Sequence, residues 1–293
     1  MCDFLTNHFR KLAAFWVLLI YMAINLGSHF AHAQNDSSIQ KVRVLNYNPN
    51  QPSEQDYFFG LLDKAMSNTV IEYNSYELEH VAISYQQTRI MTFINSGQRL
   101  DVMHTMTSRQ REHDLTAVKV PLLLGMLGHR VLLIKASRLN EFEQIGEAEA
   151  LKKYIACQGI DWPDSDILEA NGYLVARVTD EDAMIAMLEY ERCDYYPRGI
   201  SEIDNELTLY NHKYGALARV PHIILRYPAP VYFFVAKSNT LLAQRIEKGL
   251  QQMQQSGEFF DYISQHKATS SLFPLSQWND KLFFDLHNPI IGE

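Results

Sequence analysis

Cysteine is scarce in this chain, three in 293 residues, and no two cysteines stand in a C-x-x-C pair. A disulfide-dense scaffold and a zinc ribbon are both excluded, since each needs several closely spaced thiols. Glycine (13) and proline (10) are few and scattered, charged residues make up only 20%, and no segment is of low complexity. Collagen-like, coiled-coil and disordered classes are therefore out. Basic residues are outnumbered, 26 Lys and Arg against 34 Asp and Glu, and form no cluster. Nucleic acid is not an expected partner, because neutralising phosphates takes a concentrated basic face. Also missing are a Gly-rich phosphate loop, a G-x-S-x-G elbow and an H-E-x-x-H pair, so no cofactor, no metal and no catalytic residue are expected. What is abundant is apolar: 47% hydrophobic and 12% aromatic residues, enough for the core of one large domain or two ordinary ones.

The N-terminus carries the longest uncharged apolar run. Arg10 and Lys11 precede Leu12 to Leu26, which leads into Gly27, Ser28 and Ala31-His32-Ala33. This is the pattern of a secretory signal peptide, expected over residues 1–33 with cleavage after Ala33; an uncleaved single-span anchor is the alternative. Later apolar runs are broken by charges, so no membrane insertion is expected after cleavage. The remaining 260 residues carry a net charge of −9, and the acidity is uneven, with 17 acidic and 5 basic residues between Glu141 and Glu206. Cys2 leaves with the leader. Cys157 and Cys193 then face an oxidising space; they could pair, but two buried thiols on neighbouring strands are the plainer reading.

Along the mature chain the pattern is β then α, repeated. Lys41 to Tyr47 alternates like a strand, Asn48 to Pro52 is turn chemistry, and Ser53 caps a helix with Phe58, Leu61, Leu62, Ala65 and Met66 on one face. A strand is expected over Glu77–Ser84, a helix from about Gln87, and a short strand at Leu100–His104. The run Leu122 to Ile134, interrupted by Gly125 and Gly128, reads as an extended crossing between lobes. The pattern then restarts: strand Tyr154–Gln158, helix Pro163–Asn171 stopped by Gly172, strand Tyr173–Val178, a helix capped by Thr179, and a strand at Cys193–Tyr196. Val231–Val235 and an amphipathic helix bearing Leu242, Ile246, Gly249, Leu250 and Met253 return the chain to the first lobe. The expectation is an α/β protein with lobe 1 over 34–124 and 228–293 and lobe 2 inserted over 125–227.

Open α/β sheets bind ligands at strand ends and helix starts. The candidates there are Tyr47 after the first strand, Gln87 and Arg89 at the second helix, and His104, Thr105, Thr107 and Arg111 after the third strand, with Arg109 close by. Trp162, Asp164 and Arg198 are their counterparts in lobe 2. An arginine suits this place because its planar fork grips a carboxylate through two bonds. His129 and His222 read as packing residues. Glu202, Asp204 and Glu206 read as a solvated acidic face, with a hard-cation site as the alternative.

At these residues the chain resembles the amino-acid-type (family 3) secreted solute-binding proteins of Gram-negative bacteria. The resemblance lies in Gln86-Gln87-Thr88-Arg89, Gly97 to Asp101-Val102, Thr107 with Arg111-Glu112, and Pro121 to Arg130. It continues through Gly159 with Trp162-Pro163-Asp164, Arg192 to Gly199, and Gly249-Leu250 with Ser256-Gly257. It implies the type 2 periplasmic-binding fold, two α/β lobes joined by a two-stranded hinge. It also implies a periplasmic monomer that closes around a small polar or anionic, amino-acid-like metabolite and presents it to an ABC permease or a membrane sensor. Arg111, or Arg109 if the loop is shifted, is implied as the carboxylate partner, with Thr105 and Thr107 as neighbouring donors. Where such proteins place an acid for the ligand's ammonium, after the lobe 2 strand, this chain has Arg198. Two arginines facing one cleft would suit a more anionic ligand. The rival expectations are a periplasmic dehydratase or lyase on the same fold, using His104 with a cleft carboxylate, and a docking module using the acidic lobe.

Overall fold

The computed structural model describes residues 39–45, 54–82 and 87–291; the expected leader and Tyr47 lie outside them. Strand β1 (Gln40–Leu45) leads to helix α1 (Glu54–Asn68), β2 (Tyr76–Val81), α2 (Gln87–Asn95) and β3 (Val102–Met106). Helix α3 (Arg109–Asp114) runs directly into β4 (Leu115–Val118). Strand β5 (His129–Lys135) opens the second set: β6 (Ile155–Gly159), α4 (Pro163–Ala170), β7 (Leu174–Val178), α5 (Glu181–Glu189), β8 (Tyr196–Gly199), α6 (Ile203–Tyr214), β9 (Leu217–Arg219) and β10 (Ile223–Arg226). The chain ends with β11 (Val231–Ala236), α7 (Thr240–Ser256), α8 (Glu258–Gln265) and β12 (Leu282–Asp285).

In the first lobe β1 and β2 pair in parallel, and β11 stands between β3 and β4, antiparallel to both. Arg43 clasps Asp101 through Nε and Nη2 at 2.9 and 2.7 Å, and the Asp101 amide donates to the Arg43 carbonyl, joining β1 to the turn before β3. The apolar face of α1 is buried, and α7 packs against it with Leu242, Ile246, Leu250 and Met253. Gly249 makes that approach possible, since a Cβ there would fall 1.9 Å from the Ala65 carbonyl oxygen.

In the second lobe β5 pairs with β8, β9 and β10, all antiparallel, while β6 and β7 pair in parallel and a bridge from Ala156 to Tyr195 links the two groups. The segments entering and leaving this lobe run side by side. Leu225 faces Arg130 across the ladder, and the Tyr227 amide donates to the Gly128 carbonyl at 3.0 Å. Only glycine fits at 128, because a Cβ would sit 1.8 Å from the Tyr227 carbonyl oxygen. The expected extended run from Leu122 is in fact a turn and a 3-10 turn as far as Gly128, with extended backbone only from His129.

Near the chain's end β12 pairs in parallel with β10; Phe284 and Leu286 bury among Leu132, Ile223 and Leu225, and Arg226 binds Asp285 through Nε and Nη2. Two further expectations change. The cap of α5 is Asp180, which accepts from the Ala183 amide at 2.8 Å, not Thr179. Cys157 and Cys193 are joined as a disulfide with Cα atoms 5.7 Å apart, since the backbone brings β6 against the segment entering β8. The bridge closes a loop with a sequence separation of 36. Replacing both cysteines by serine is expected to lower the unfolding free energy by about 2–4 kcal/mol, read from urea titration. Native protein should offer no thiol to alkylation before reduction, and two reactive thiols would contradict the bridge.

Candidate functional site

A cavity of about 280 Å³ lies between the lobes. Its first-lobe wall is made where β3 ends and α3 begins. Ser108 is the N-cap of α3, its hydroxyl accepting from the Arg111 amide at 3.2 Å, and this turn carries Arg111 back over the end of β3. The Arg111 guanidinium donates from Nη1 to the Thr105 hydroxyl and the Met106 carbonyl, both at 2.6 Å, and from Nη2 to Gln87 Oε1 at 2.9 Å. It is 6% exposed, and it forms no ion pair with any described carboxylate. Burial pulls its pKa down to about 10, partly offset by the fields of Asp164 and Asp161. Arg111 is thus charged at neutral pH, held in a fixed direction by neutral acceptors, and has no counter-ion among the described residues.

The second-lobe wall is arranged differently. Arg130, at the start of β5 and 4% exposed, contacts Asp164 Oδ1 at 2.6 Å and Glu202 Oε2 at 3.2 Å, and donates from Nε to the Tyr227 hydroxyl at 3.0 Å. Tyr227 in turn donates to Asp164 Oδ1. Arg198 binds Glu206 through Nε at 2.6 Å and through Nη2, reaches Glu202 at 3.3 Å, and lies over the Trp162 ring, 5.2 Å from its centroid. The Gly199 amide also donates to Glu202, at 2.7 Å. Burial works against the charge on both arginines, but their carboxylate partners outweigh it and hold them well above the usual value. Burial likewise pushes the Glu206 carboxyl up, and Arg198 pulls it back through both oxygens.

His104, Thr105, Gln87, Arg111, Trp162, Asp164 and Arg198 therefore line one cavity, from its two walls. Two expected residues are elsewhere. Thr107 is buried and donates to Glu112 at 2.7 Å, because the chain turns into α3 there and aims the hydroxyl at that helix. Arg89 lies on the exposed side of α2 over Phe93, one helical turn on. Arg109 is not the alternative to Arg111; it holds the carbonyls of Pro289 and Ile291 at 3.0 Å. Of the acidic face expected at Glu202, Asp204 and Glu206, Asp204 is solvent-exposed beside Arg219, whereas Glu202 and Glu206 turn inward onto Arg130 and Arg198. Among the described residues no cluster of potential metal ligands occurs. The residues missed from sequence are Arg130, Glu202, Glu206 and Tyr227. A lone arginine heading the apolar run Val131 to Ile134 was the available signal, because a charge buried in such a strand needs partners.

His104 also faces the cavity. Its ring stacks on Phe58 with centroids 3.8 Å apart, it hydrogen-bonds no described carboxylate, and burial pulls its pKa down to about 4. A neutral imidazole with no carboxylate to orient it is a poor proton shuttle.

No family model matches the chain, and no curated protein matches it in sequence. Solved structures do. The periplasmic VFT2 domain of BvgS from Bordetella pertussis superposes with a TM-score of 0.57 at 15% identity, over 79% of this chain and 94% of that one. A probable amino-acid ABC transporter extracellular-binding protein, ytmK of Bacillus subtilis, gives 0.57 at 15% identity, over 80% and 100%. An ancestral arginine-binding protein bound to arginine gives 0.53 at 16%, over 78% and 98%. The fold is the type 2 periplasmic-binding fold. Within it, the cavity lies between the two α/β lobes, with one wall from each.

The half-buried His104 predicts a pH effect. The unfolded imidazole takes up a proton near pH 6.5 and the folded one only near 4, so the unfolded state binds more protons between these values and stability falls as pH falls through that window. His104→Asn is expected to remove on the order of 2–3 kcal/mol of that decline, measured by urea unfolding at pH 4.5 and 7. His129 and His266, also pulled down by burial, leave the variant a residual slope. Equal slopes in both proteins would contradict the reading of His104.

Proposed function

We propose that this chain is a periplasmic solute-binding protein that captures a small, carboxylate-bearing, amino-acid-like metabolite between its lobes and presents it to an ABC importer or a membrane sensor. The observation that carries the reading is Arg111: a buried guanidinium, oriented by Thr105, Met106 and Gln87, on the wall of an inter-lobe cavity and paired with no carboxylate among the described residues. Such a group favours an anion that can accept two parallel hydrogen bonds. Contacts from both walls would stabilise a closed state over an open one, and the closed shape is what a membrane partner would read. The paired crossing segments at Gly128 and Tyr227 are the place for the hinge. Two of the structural neighbours are named as binding proteins, which favours this use of the fold over catalysis. The disulfide suits an oxidising compartment such as the one the expected leader would reach. Transport has the stronger support, because ytmK is named as part of an amino-acid ABC transporter.

Isothermal titration with the amino acids, monocarboxylates and dicarboxylates tests the proposal. Wild type is expected to bind at least one compound with a carboxylate, and Arg111→Gln to bind it at least about a hundredfold more weakly, as befits loss of a buried charged pair. Unchanged affinity in a folded Arg111→Gln protein, or no binding across the whole panel, would overturn it.

A further inference from the structure

The two paired segments at Gly128 and Tyr227 are not the chain's last passage between the lobes. After α8 it leaves the first lobe, forms β12 beside β10 in the second, and then turns back. The returning residues 286–291 are fixed at both ends. On the second-lobe side the Leu286 amide donates to the Arg226 carbonyl at 2.8 Å. The Asn171 side chain, at the C-cap of α4, accepts from the His287 amide at 2.9 Å and donates to the His287 carbonyl at 2.7 Å. On the first-lobe side the Ile290 carbonyl accepts from the Arg109 amide at 2.7 Å, and the Arg109 guanidinium holds the carbonyls of Ile291 and Pro289, both at 3.0 Å. Between these anchors lies Asn288, 4% exposed. Its Nδ2 donates to the Pro228 carbonyl at 2.6 Å, in the segment that leaves the second lobe, and its Oδ1 accepts from the Ile290 amide at 3.0 Å. That second bond shapes the turn that presents the three carbonyls to Arg109.

We propose that residues 286–291 are a third hinge strand, a strap that limits how far the lobes part and couples their rotation to Arg111. The coupling to Arg111 rests on its assignment to the ligand carboxylate. The strap joins two helices that bring polar side chains to the cavity: Asn171 ends α4, whose first turn bears Asp164, and Arg109 begins α3, which carries Arg111 two residues on. The Arg109 amide is one of the donors that a helix start leaves unpaired, and the Ile290 carbonyl satisfies it, so a pull on the strap acts on the backbone of α3 itself. From His287 to Pro289 the chain reaches about 7 Å at full extension, so the lobes cannot part further along this line while both anchors hold. Asn288 is the stronger contact because it is buried, whereas Arg109 is exposed and water competes for its bonds. Asn288 and Arg109 are positioning residues, since they act on a ligand only through α3 and the hinge.

The experiment measures lobe separation by electron paramagnetic resonance between spin labels at Gln251→Cys, on the exposed side of α7, and Glu143→Cys, exposed in the second lobe. In ligand-free protein, Asn288→Ala is expected to broaden the distance distribution and shift it to longer separations, with a smaller shift in Arg109→Gln and in a chain lacking residues 289–293. Arg109→Gln should add nothing to that deletion, which already removes the carbonyls Arg109 holds. Calorimetry with the tightest carboxylate ligand of the wild type should show Asn288→Ala binding it about fivefold more weakly, and hydrogen exchange in α3 should quicken in both point variants. If Asn288→Ala does not fold, Arg109→Gln and the deletion decide. Distances that stay as in wild type in the folded variants overturn the strap, and so does a further shift when Arg109→Gln is added to the deletion. Longer distances with unchanged exchange in α3 overturn the coupling to Arg111. A wild type that binds no carboxylate overturns the solute-binding reading, while the distances still judge the strap.

Discussion

A guanidinium cannot be buried without matched acceptors, and the way Arg130 meets this demand sets the terms for the whole cleft. It heads β5, beside one of the two segments that cross between the lobes, and Tyr227 on the other crossing segment shares its acceptor Asp164. One set of contacts thereby ties both crossings to the start of α4 and builds a cavity wall. Removing any one partner would strand a buried charge, so the wall is held as a unit rather than as a sum of pairs. Because the second lobe pairs Arg130 and Arg198 internally, Arg111, across the gap, is the cavity-lining arginine that has no counter-ion among the described residues.

The acidity of the inserted lobe takes on a different meaning in this light. Many of its carboxylates are spent on local arginines: Asp194 and Glu141 on Arg138, Asp166 and Glu169 on Arg177, Asp204 on Arg219. Exposed pairs of this kind add little stability each and are weakened by salt. They do mean that neither the net charge nor a count of arginines near the cleft reports what the cavity holds. A pairing census does, because only an unmatched charge is available to a ligand.

The βα pattern was legible because it is local. The apolar face of α1 and that of α7 follow from spacing within one element, and the order of strands and helices follows from that spacing. Elements whose reason is distant were not legible: β4, four residues long, exists because β11 pairs with it, and β12 because β10 does. The site divides in the same way. Strand ends and helix starts gave Gln87, His104, Thr105, Arg111, Trp162 and Asp164 a place on the cavity wall. Thr107 and Arg89 sit beside those residues in sequence but turn away, since one residue past a strand end or one step around a helix changes the direction of a side chain. Arg130 and Tyr227 were missed because their partners lie 63 or more residues from Tyr227 along the chain and no spacing rule connects them. The bridge between Cys157 and Cys193, where the sequence favours two thiols, is not legible for a similar reason: register between β6 and the segment entering β8 is a property of the sheet.

The central claim is that an anionic group of a small metabolite rests on Arg111 between the lobes. The most direct measurement is mass spectrometry of whatever small molecule the purified protein retains, compared with that retained by Arg111→Gln purified in the same way. The account predicts one compound bearing a carboxylate, released from wild type on denaturation and absent from the variant. A retained compound with no acidic group, or one held equally by both proteins, would contradict it.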